Sequence, residues 1–376
     1  MEAKIAEHLP QIGRRNPYQE WQAKEGIPIV RGLCIEDLNA VELGPWARKG
    51  GTGAFVDLGT KPGHERGAYL CEIPPGGSLE PQRHLYEEAL YVVSGRGATT
   101  VWNDGRPKQT VEWQEGSLIA IPLNAWHQHF NGEGGRPARF LGRTNAPAMM
   151  GLFHNEKFIF ENPCAFEDRF AGEDDYFSGK GTLYQKRIWE TNFVSDARSF
   201  KLHEWKERGA GGTNVMFEMA DAGLACHISE FPVGTYKKAH VHSKGNDKGG
   251  GALLLILDGE GFTLVWRPEE REWRRLSWRR NSLVVAPSSW YHQHFNAGAK
   301  PARYLAMRGG TGARHWMGNK NLNDVSEALG GTQIEYEDED PRIHRMFEEE
   351  MSLHGASCKM RGLVSRCTGE EARRAV

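Results

Sequence analysis

The sequence predicts an all-β protein in which one barrel-like module is used twice. Three observations predict it. The pentapeptide His-Gln-His-Phe-Asn occurs at 127–131 and again at 292–296, each time after an aromatic residue (Trp126, Tyr291). The segments around the two copies match each other at a nearly constant offset, the mark of a duplicated unit. Both copies also break into short apolar runs separated by Gly, Pro and Asn, which reads as many short strands in a sandwich or barrel.

Taken in order, residues 1–60 read as an N-terminal arm and 61–150 as the first barrel. Residues 151–200 read as an aromatic-rich connection, 201–312 as the second barrel and 313–376 as a C-terminal arm. In the first barrel the expected strands include Ala89–Ser94, Thr99–Trp102, Ser117–Ile121 and Arg139–Leu141. Their counterparts are Leu253–Leu257, Thr263–Trp266, Ser282–Ala286 and Arg303–Ala306. Ser94–Trp102 matches Asp258–Trp266, Gly116–Pro122 matches Asn281–Pro287, and Pro137–Leu141 matches Pro301–Leu305. The connection carries Phe153, Phe158, Phe160, Phe166, Phe170, Tyr176 and Phe177, which are expected to pack on the barrels. In the C-terminal arm Ile343, Met346, Phe347, Met351 and Leu353 have helical spacing, with Pro341 at the start, so a helix is expected near 341–353.

The 47 basic and 49 acidic residues nearly cancel, so no global field draws in nucleic acid or an anionic membrane. The polar start gives no signal peptide, and the longest apolar runs are too short to span a bilayer. Six cysteines (34, 71, 164, 226, 358, 367) are scattered without C-x-x-C spacing and read as free thiols in a reducing cytosol. The expectation is a cytoplasmic homo-oligomer that acts on a small molecule.

The chemistry sits in the histidines. On a strand, residues i and i+2 face the same side, so His240 and His242 point together and His292 can complete the set from a neighbouring strand. Three neutral imidazoles suit Fe, Zn, Cu, Ni or Mn and leave positions open for substrate. His294 shares the parity of His292 and reads as a proton donor or substrate contact rather than a fourth ligand; His129 is its counterpart. In the first barrel, Gln82 and His84 stand where the second has His240 and His242. Glu88 follows, and His127 matches His292, giving the mixed set Gln82, His84, Glu88 and His127 for Mn, Fe or Zn. Glu87 and Glu88 also fit a charged turn. The second barrel has Ala252 in place of that Glu and a glycine-rich insert around 244–251, either a surface loop or a lid bringing Asp247 to the metal. Trp290, Tyr236 and Tyr291 are candidate pocket walls.

These spacings resemble the two motifs of the cupin superfamily, in its two-domain bicupin form. The first motif, G-x5-H-x-H-x3–4-E-x6-G, runs from Gly77 to Gly95 with Gln82 for the first His and one residue fewer before it, and from Gly234 to Gly259 without the Glu. The second, G-x5-P-x-G-x2-H-x3-N, is met by Gly116, Pro122, His127 and Asn131, with Asn124 for the inner Gly. It recurs at Pro287, His292 and Asn296, with Asn281 and Ser289 for the glycines. The resemblance implies double-stranded β-helix (jelly-roll) barrels in tandem with a metal at the mouth. A three-His site without the Glu is similar to those of gentisate- and salicylate-type ring-cleaving dioxygenases, which use Fe(II). In that family the intact triad is usually in the first barrel, whereas here it is in the second. The resemblance also admits Mn- or Zn-dependent decarboxylases, lyases and hydrolases, such as oxalate decarboxylase, acting through the first barrel. A non-catalytic ligand-binding bicupin is the third class.

Overall fold

The computed structural model describes residues 16–59, 67–185, 187–242, 251–309 and 325–367. Each half of the chain builds a barrel from one large, mostly antiparallel sheet and one small antiparallel sheet. In the first, Gly51–Leu58, Gly67–Ile73, Ala138–Thr144, Glu88–Ser94 and Leu118–Ile121 lie side by side in an eight-stranded sheet. A three-stranded sheet of Trp126–Asn131, Arg96–Trp102 and Gln109–Gln114 closes over it. In the second, Thr213–Glu218, Leu224–Phe231, Ala302–Gly309, Ala252–Asp258 and Leu283–Ala286 repeat that order within a nine-stranded sheet. The four-stranded sheet His240–Val241, Tyr291–Asn296, Glu260–Trp266 and Arg274–Arg279 covers it. The fold is the all-β tandem-barrel architecture that the repeat and the short apolar runs imply.

The two barrels exchange strands reciprocally. Cys34–Ile35, ahead of the first barrel, pairs with Leu283–Ala286 of the second. Phe193–Val194, ahead of the second, pairs with Leu118–Ile121 of the first. The segment 1–60 therefore supplies strands to both large sheets, since Ile29–Gly32 also runs beside Gly51–Leu58. Each exchanged segment is gripped in the same way. Arg139, in the repeated Pro-Ala-Arg, donates to the carbonyls of Leu38, Asn39 and Val41. Its counterpart Arg303 donates to those of Ala197, Arg198 and Phe200. The hydroxyls of Ser117 and Ser282 donate to the carbonyls of Ser195 and Glu36. A guanidinium satisfies several carbonyls at once because its five N–H donors lie in one plane.

The outer faces of the large sheets pack on each other. Leu70, Tyr91, Leu118 and Leu141 of the first barrel share one buried cluster with Phe217, Ile228, Leu255, Leu283 and Leu305 of the second. This makes the central strands of the large sheets apolar on both faces, as in Glu88–Ser94 and Ala252–Asp258, where the alternation of a half-exposed strand is missing.

The C-terminal helix spans Pro341–Leu353, with Pro341 at its first position and Asp340 accepting from the Arg342 N–H as N-cap. Ile343, Phe347 and Met351, spaced four apart, are buried against the second barrel's small sheet. Leu353, expected on the same face, lies off that row and is 83% exposed. Among the described residues no helix is long and apolar enough to cross a membrane.

Because the core is shared, the barrels are expected to unfold as one unit. Leu305→Ala, at a site with no exposure, should cost about 2–5 kcal/mol and lower a single denaturation midpoint. Two separate transitions, with only one shifted, would contradict the shared core.

Candidate metal centres

Each pentapeptide forms a strand of the small sheet, and strand alternation divides its residues between two jobs. His127 and His129, or His292 and His294, face the barrel interior, while Gln128 and Gln293 face the other way. The glutamines fasten the strand: Gln128 Nε2 donates to the Leu79 carbonyl and Gln293 Nε2 to that of Lys237, both at 2.9 Å. The closing asparagines hold the next turn. Asn131 Nδ2 donates to the carbonyls of Ile73, Pro74 and Arg136, and Asn296 Nδ2 to those of Phe231 and Lys300.

Backbone register aligns the two sites independently of the motif. Gln82 exchanges backbone hydrogen bonds with His127 at 3.0 and 2.9 Å. His240 lies opposite His292 in the corresponding pair. Glu88 faces Ile121, and Ala252 faces Ala286. Gln82 thus occupies the place of His240, and Ala252 that of Glu88.

In the first barrel His84, Glu88 and His127 converge. His84 Nε2 is 3.5 Å and His127 Nε2 3.7 Å from Glu88 Oε2. The other ring nitrogens are committed to backbone carbonyls, His84 Nδ1 to Tyr86 at 2.8 Å and His127 Nδ1 to Ala125 at 3.1 Å. Both rings therefore carry the proton on Nδ1 and turn an Nε2 lone pair inward. Those two nitrogens and Glu88 Oε2 are buried without a hydrogen-bond partner, a set of lone pairs that fits a cation. Burial would raise the Glu88 pKa, but Lys49, His84 and His127 outweigh it and hold the carboxyl well below its usual range. Tyr69 donates to Glu88 Oε1 at 2.5 Å, and Lys49, itself 1% exposed, donates to Tyr69 at 3.3 Å. The Gln82 amide nitrogen is also buried without a partner. His84, Glu88 and His127 are 1%, 2% and 0% exposed, so this site is sealed.

In the second barrel His240, His242 and His292 bring their ring nitrogens within 4.8 Å of one another. His240 Nε2 and His242 Nε2 are 3.0 Å apart, and the His292 ring centroid is 4.0 and 4.5 Å from theirs. At that distance one imidazole N–H can donate to the other, and with its loss the three nitrogens can share a metal ion instead. Burial and Arg208 push His292 down to about 3, and His240 is held well below its usual value by the same two causes. Burial and Arg308 do the same for His242. The rings are thus neutral and ready to ligate. A small cavity of about 20 Å³ adjoins them, walled by Trp205, Met216, His227, Leu254, Tyr304 and Ala306 and bordered by Arg208 and Arg308.

The walls expected from the sequence lie elsewhere. Tyr291 is on the opposite face of its strand from His292, stacks on Trp266 and donates to Glu327. Tyr236 stacks on Phe295 under the C-terminal helix, and Trp290 lies against Arg267 and Arg274. The insert around 244–251, with Asp247, falls outside the described residues apart from Gly251. Glu87 turns away from the first site, accepts from Asn145 Nδ2 and the Gly223 N–H, and so ties the barrels together.

A second duplicated feature surrounds His129 and His294. Trp113 Nε1 donates to Thr99 Oγ1 at 2.9 Å, and Thr99 Oγ1 is 2.7 Å from His129 Nδ1. Trp278 Nε1 donates to Thr263 Oγ1 at 3.0 Å, and Thr263 Oγ1 is 2.9 Å from His294 Nδ1. An indole N–H can only donate, so the threonine accepts from it and keeps its own proton to offer Nδ1. A ring that takes that proton carries its N–H on Nε2, facing inward as a hydrogen-bond donor rather than a ligand. The repeated Gly97 and Gly261 make room for the indoles: a Cβ there would come within 2.6 and 2.8 Å of the Trp113 and Trp278 rings. The signal was present in the matched Thr99/Thr263 and Trp113/Trp278, but only the structure connects them to the histidines.

The departures from motif glycine keep glycine-like backbone. Asn124 and Ser289 occupy equivalent left-handed positions, with φ of 56° and 62°, and Asn281 has φ 66° where Gly116 has 94°.

Residues 69–142 match the Cupin domain family. The second barrel repeats the strand order and the motif positions of that segment. Among solved structures, oxalate decarboxylase from Bacillus subtilis superposes with a TM-score of 0.48 at 14% identity, over 76% of this chain and 78% of that one. Vicilin from hazelnut, Corylus avellana, superposes with a TM-score of 0.47 at 12% identity, over 74% and 85%. A search of curated proteins finds no match.

Two outcomes are expected. Thr263→Val should let the His294 proton populate Nδ1, visible in 15N ring spectra. An unaltered tautomer would contradict the relay. The metal-free protein should also lose stability on acidification. Buried histidines held near 3, such as His129 and His292, bind fewer protons folded than unfolded, where their pKa is about 6.5. Stability is then complete above about 6.5 and falls as the pH drops towards about 3, which urea midpoints across that window measure.

Proposed function

We propose that the protein is a non-haem Fe(II) dioxygenase whose second barrel acts on a small aromatic or enolic carboxylate. The observation that carries this reading is the charge of the pocket. His240, His242 and His292 are neutral ligands, so they leave the charge of a divalent ion uncancelled, and Arg208 and Arg308 add to it. An anionic substrate supplies the missing negative charge. The pocket's Trp205, Leu254 and Tyr304 suit a flat, partly apolar body. Iron in that set would supply Lewis acidity and one-electron chemistry towards O₂. The chain's own residues do the rest: the arginines orient the carboxylate, the apolar walls exclude water, and His294 offers its Nε2 proton to the substrate.

A second reading rests on the first barrel. Glu88 with two carbonyl-locked imidazoles is a harder donor set, suited to Mn or Zn in a decarboxylase, lyase or hydrolase. Its sealed position is what ranks it below the second barrel. A ligand-binding bicupin without catalysis is the remaining alternative.

The test is metal analysis and oxygen uptake with a panel of hydroxybenzoates and small enolic carboxylates. Iron and substrate-dependent oxygen uptake are expected in the wild type, lost in His240→Ala and kept in His84→Ala. Oxygen uptake that survives His240→Ala would refute the dioxygenase reading. Oxygen-independent turnover lost with His84→Ala would favour the first barrel.

A further inference from the structure

The C-terminal segment holds a third cluster of donors that neither barrel uses. His344, Glu348, Cys358 and Cys367 present one ligand atom each within 4.8 Å of one another. His344 and Glu348 stand one helical turn apart on Pro341–Leu353, and the cysteines follow in the irregular chain after it. Sequence spacing hides the group, because no C-x-x-C is present and the helix supplies half of the donors.

Two details point to a ligand. The first is the His344 tautomer. Tyr236 donates its hydroxyl proton to Glu339 Oε1 at 2.6 Å, and the Tyr236 hydroxyl oxygen is 3.0 Å from His344 Nδ1. With the tyrosine proton committed to Glu339, Nδ1–H of His344 donates to Tyr236, and a lone pair remains on Nε2. That Nε2 lies on a side chain 2% exposed, 3.2 Å from Glu348 Oε1, with which it forms an ion pair when the ring is protonated. A metal ion held between the nitrogen and the carboxylate would replace the proton they otherwise share. The second detail is the sulfur spacing. Cys358 Sγ and Cys367 Sγ are 3.6 Å apart. A disulfide requires about 2.05 Å. Two thiolates on one tetrahedral zinc, each at about 2.3 Å, stand about 3.8 Å apart.

We propose that His344, Glu348, Cys358 and Cys367 bind a structural zinc ion that clamps the C-terminal arm to the second barrel. Four protein donors close the coordination sphere, which is the arrangement of a structural rather than a catalytic site. Thiolate and imidazole donors select zinc over the harder ions that a carboxylate-rich site would take. The clamp lies where it can matter to the active barrel. Phe347, Met351, Met360 and Val364 pack against Tyr236, Phe262 and Phe295 beneath the histidine strand. Gly234, at the head of the barrel's first motif, accepts the Lys359 N–H, and a Cβ there would meet the Ser357 carbonyl at 2.5 Å. From His344 the contacts run through Tyr236 to Glu339, which accepts from Gln293 Nε2 at 3.0 Å, between His292 and His294. Zinc on His344 Nε2 fixes the ring that starts this chain of hydrogen bonds.

The experiment measures zinc in the full-length protein, purified under reducing conditions, in a His84→Ala/His240→Ala background that disables both barrel sites. One zinc per chain is expected, falling to none when Cys358→Ser and Cys367→Ser are added. The wild type grown on cobalt gives a second readout that needs no variant: a thiolate-to-cobalt charge-transfer band in the near ultraviolet. Chelation of the zinc should lower the thermal midpoint. Zinc retained after both cysteine substitutions, no thiolate band in the cobalt protein, or a Cys358–Cys367 disulfide in the reduced preparation would overturn the proposal.

Discussion

Everything at the two centres depends on one antiparallel pairing, that of the pentapeptide strand with the strand carrying the first motif. Because Gln82 faces His127 and His240 faces His292, the ligand positions are set by backbone hydrogen bonds before any metal binds. Alternation then turns the second histidine of each pentapeptide inward, where Thr99 or Thr263 assigns its proton. A slip of one residue would turn the histidines outward and the glutamines inward. The glutamines and asparagines of the repeat hold that register, which accounts for their place beside the ligands.

The same scaffold therefore presents two chemistries through two exchanges of side chain. Replacing His240 by Gln82 and Ala252 by Glu88 converts an all-imidazole set into one containing an anion. The surroundings follow suit. Around Glu88, Tyr69 and Lys49 fill the barrel and close it. In the second barrel the position of Tyr69 is taken by His227, and that of Thr144 by Arg308, as the strand pairings show. These more basic walls border the cavity beside the histidines. The shared core and the exchanged strands join the two barrels through Leu141, Leu305 and their neighbours.

Much of this was legible in the sequence, for a physical reason. Ligands spaced H-x-H on a strand, and a motif repeated with its flanking glycines, are local patterns, and duplication made each copy a check on the other. What was not legible depends on pairing between distant segments. Nothing near Cys34 or Phe193 states that each would join the other barrel. The pocket walls come from several strands and a loop, so Trp205 and Tyr304 carry no linear signature, while the nearby Tyr291 looked apt but sits on the wrong face. Leu353 fitted a helical run yet fell off the row that packs. Cys358 and Cys367 read as isolated thiols because their partners sit on a helix one turn apart.

The central claim is that the unequal halves divide the work and that the second barrel holds the catalytic iron. Anomalous diffraction recorded on either side of the iron absorption edge tests it most directly. The account predicts an iron peak bounded by His240, His242 and His292. An iron peak only among His84, Glu88 and His127, or none in crystals of an active preparation, would contradict it.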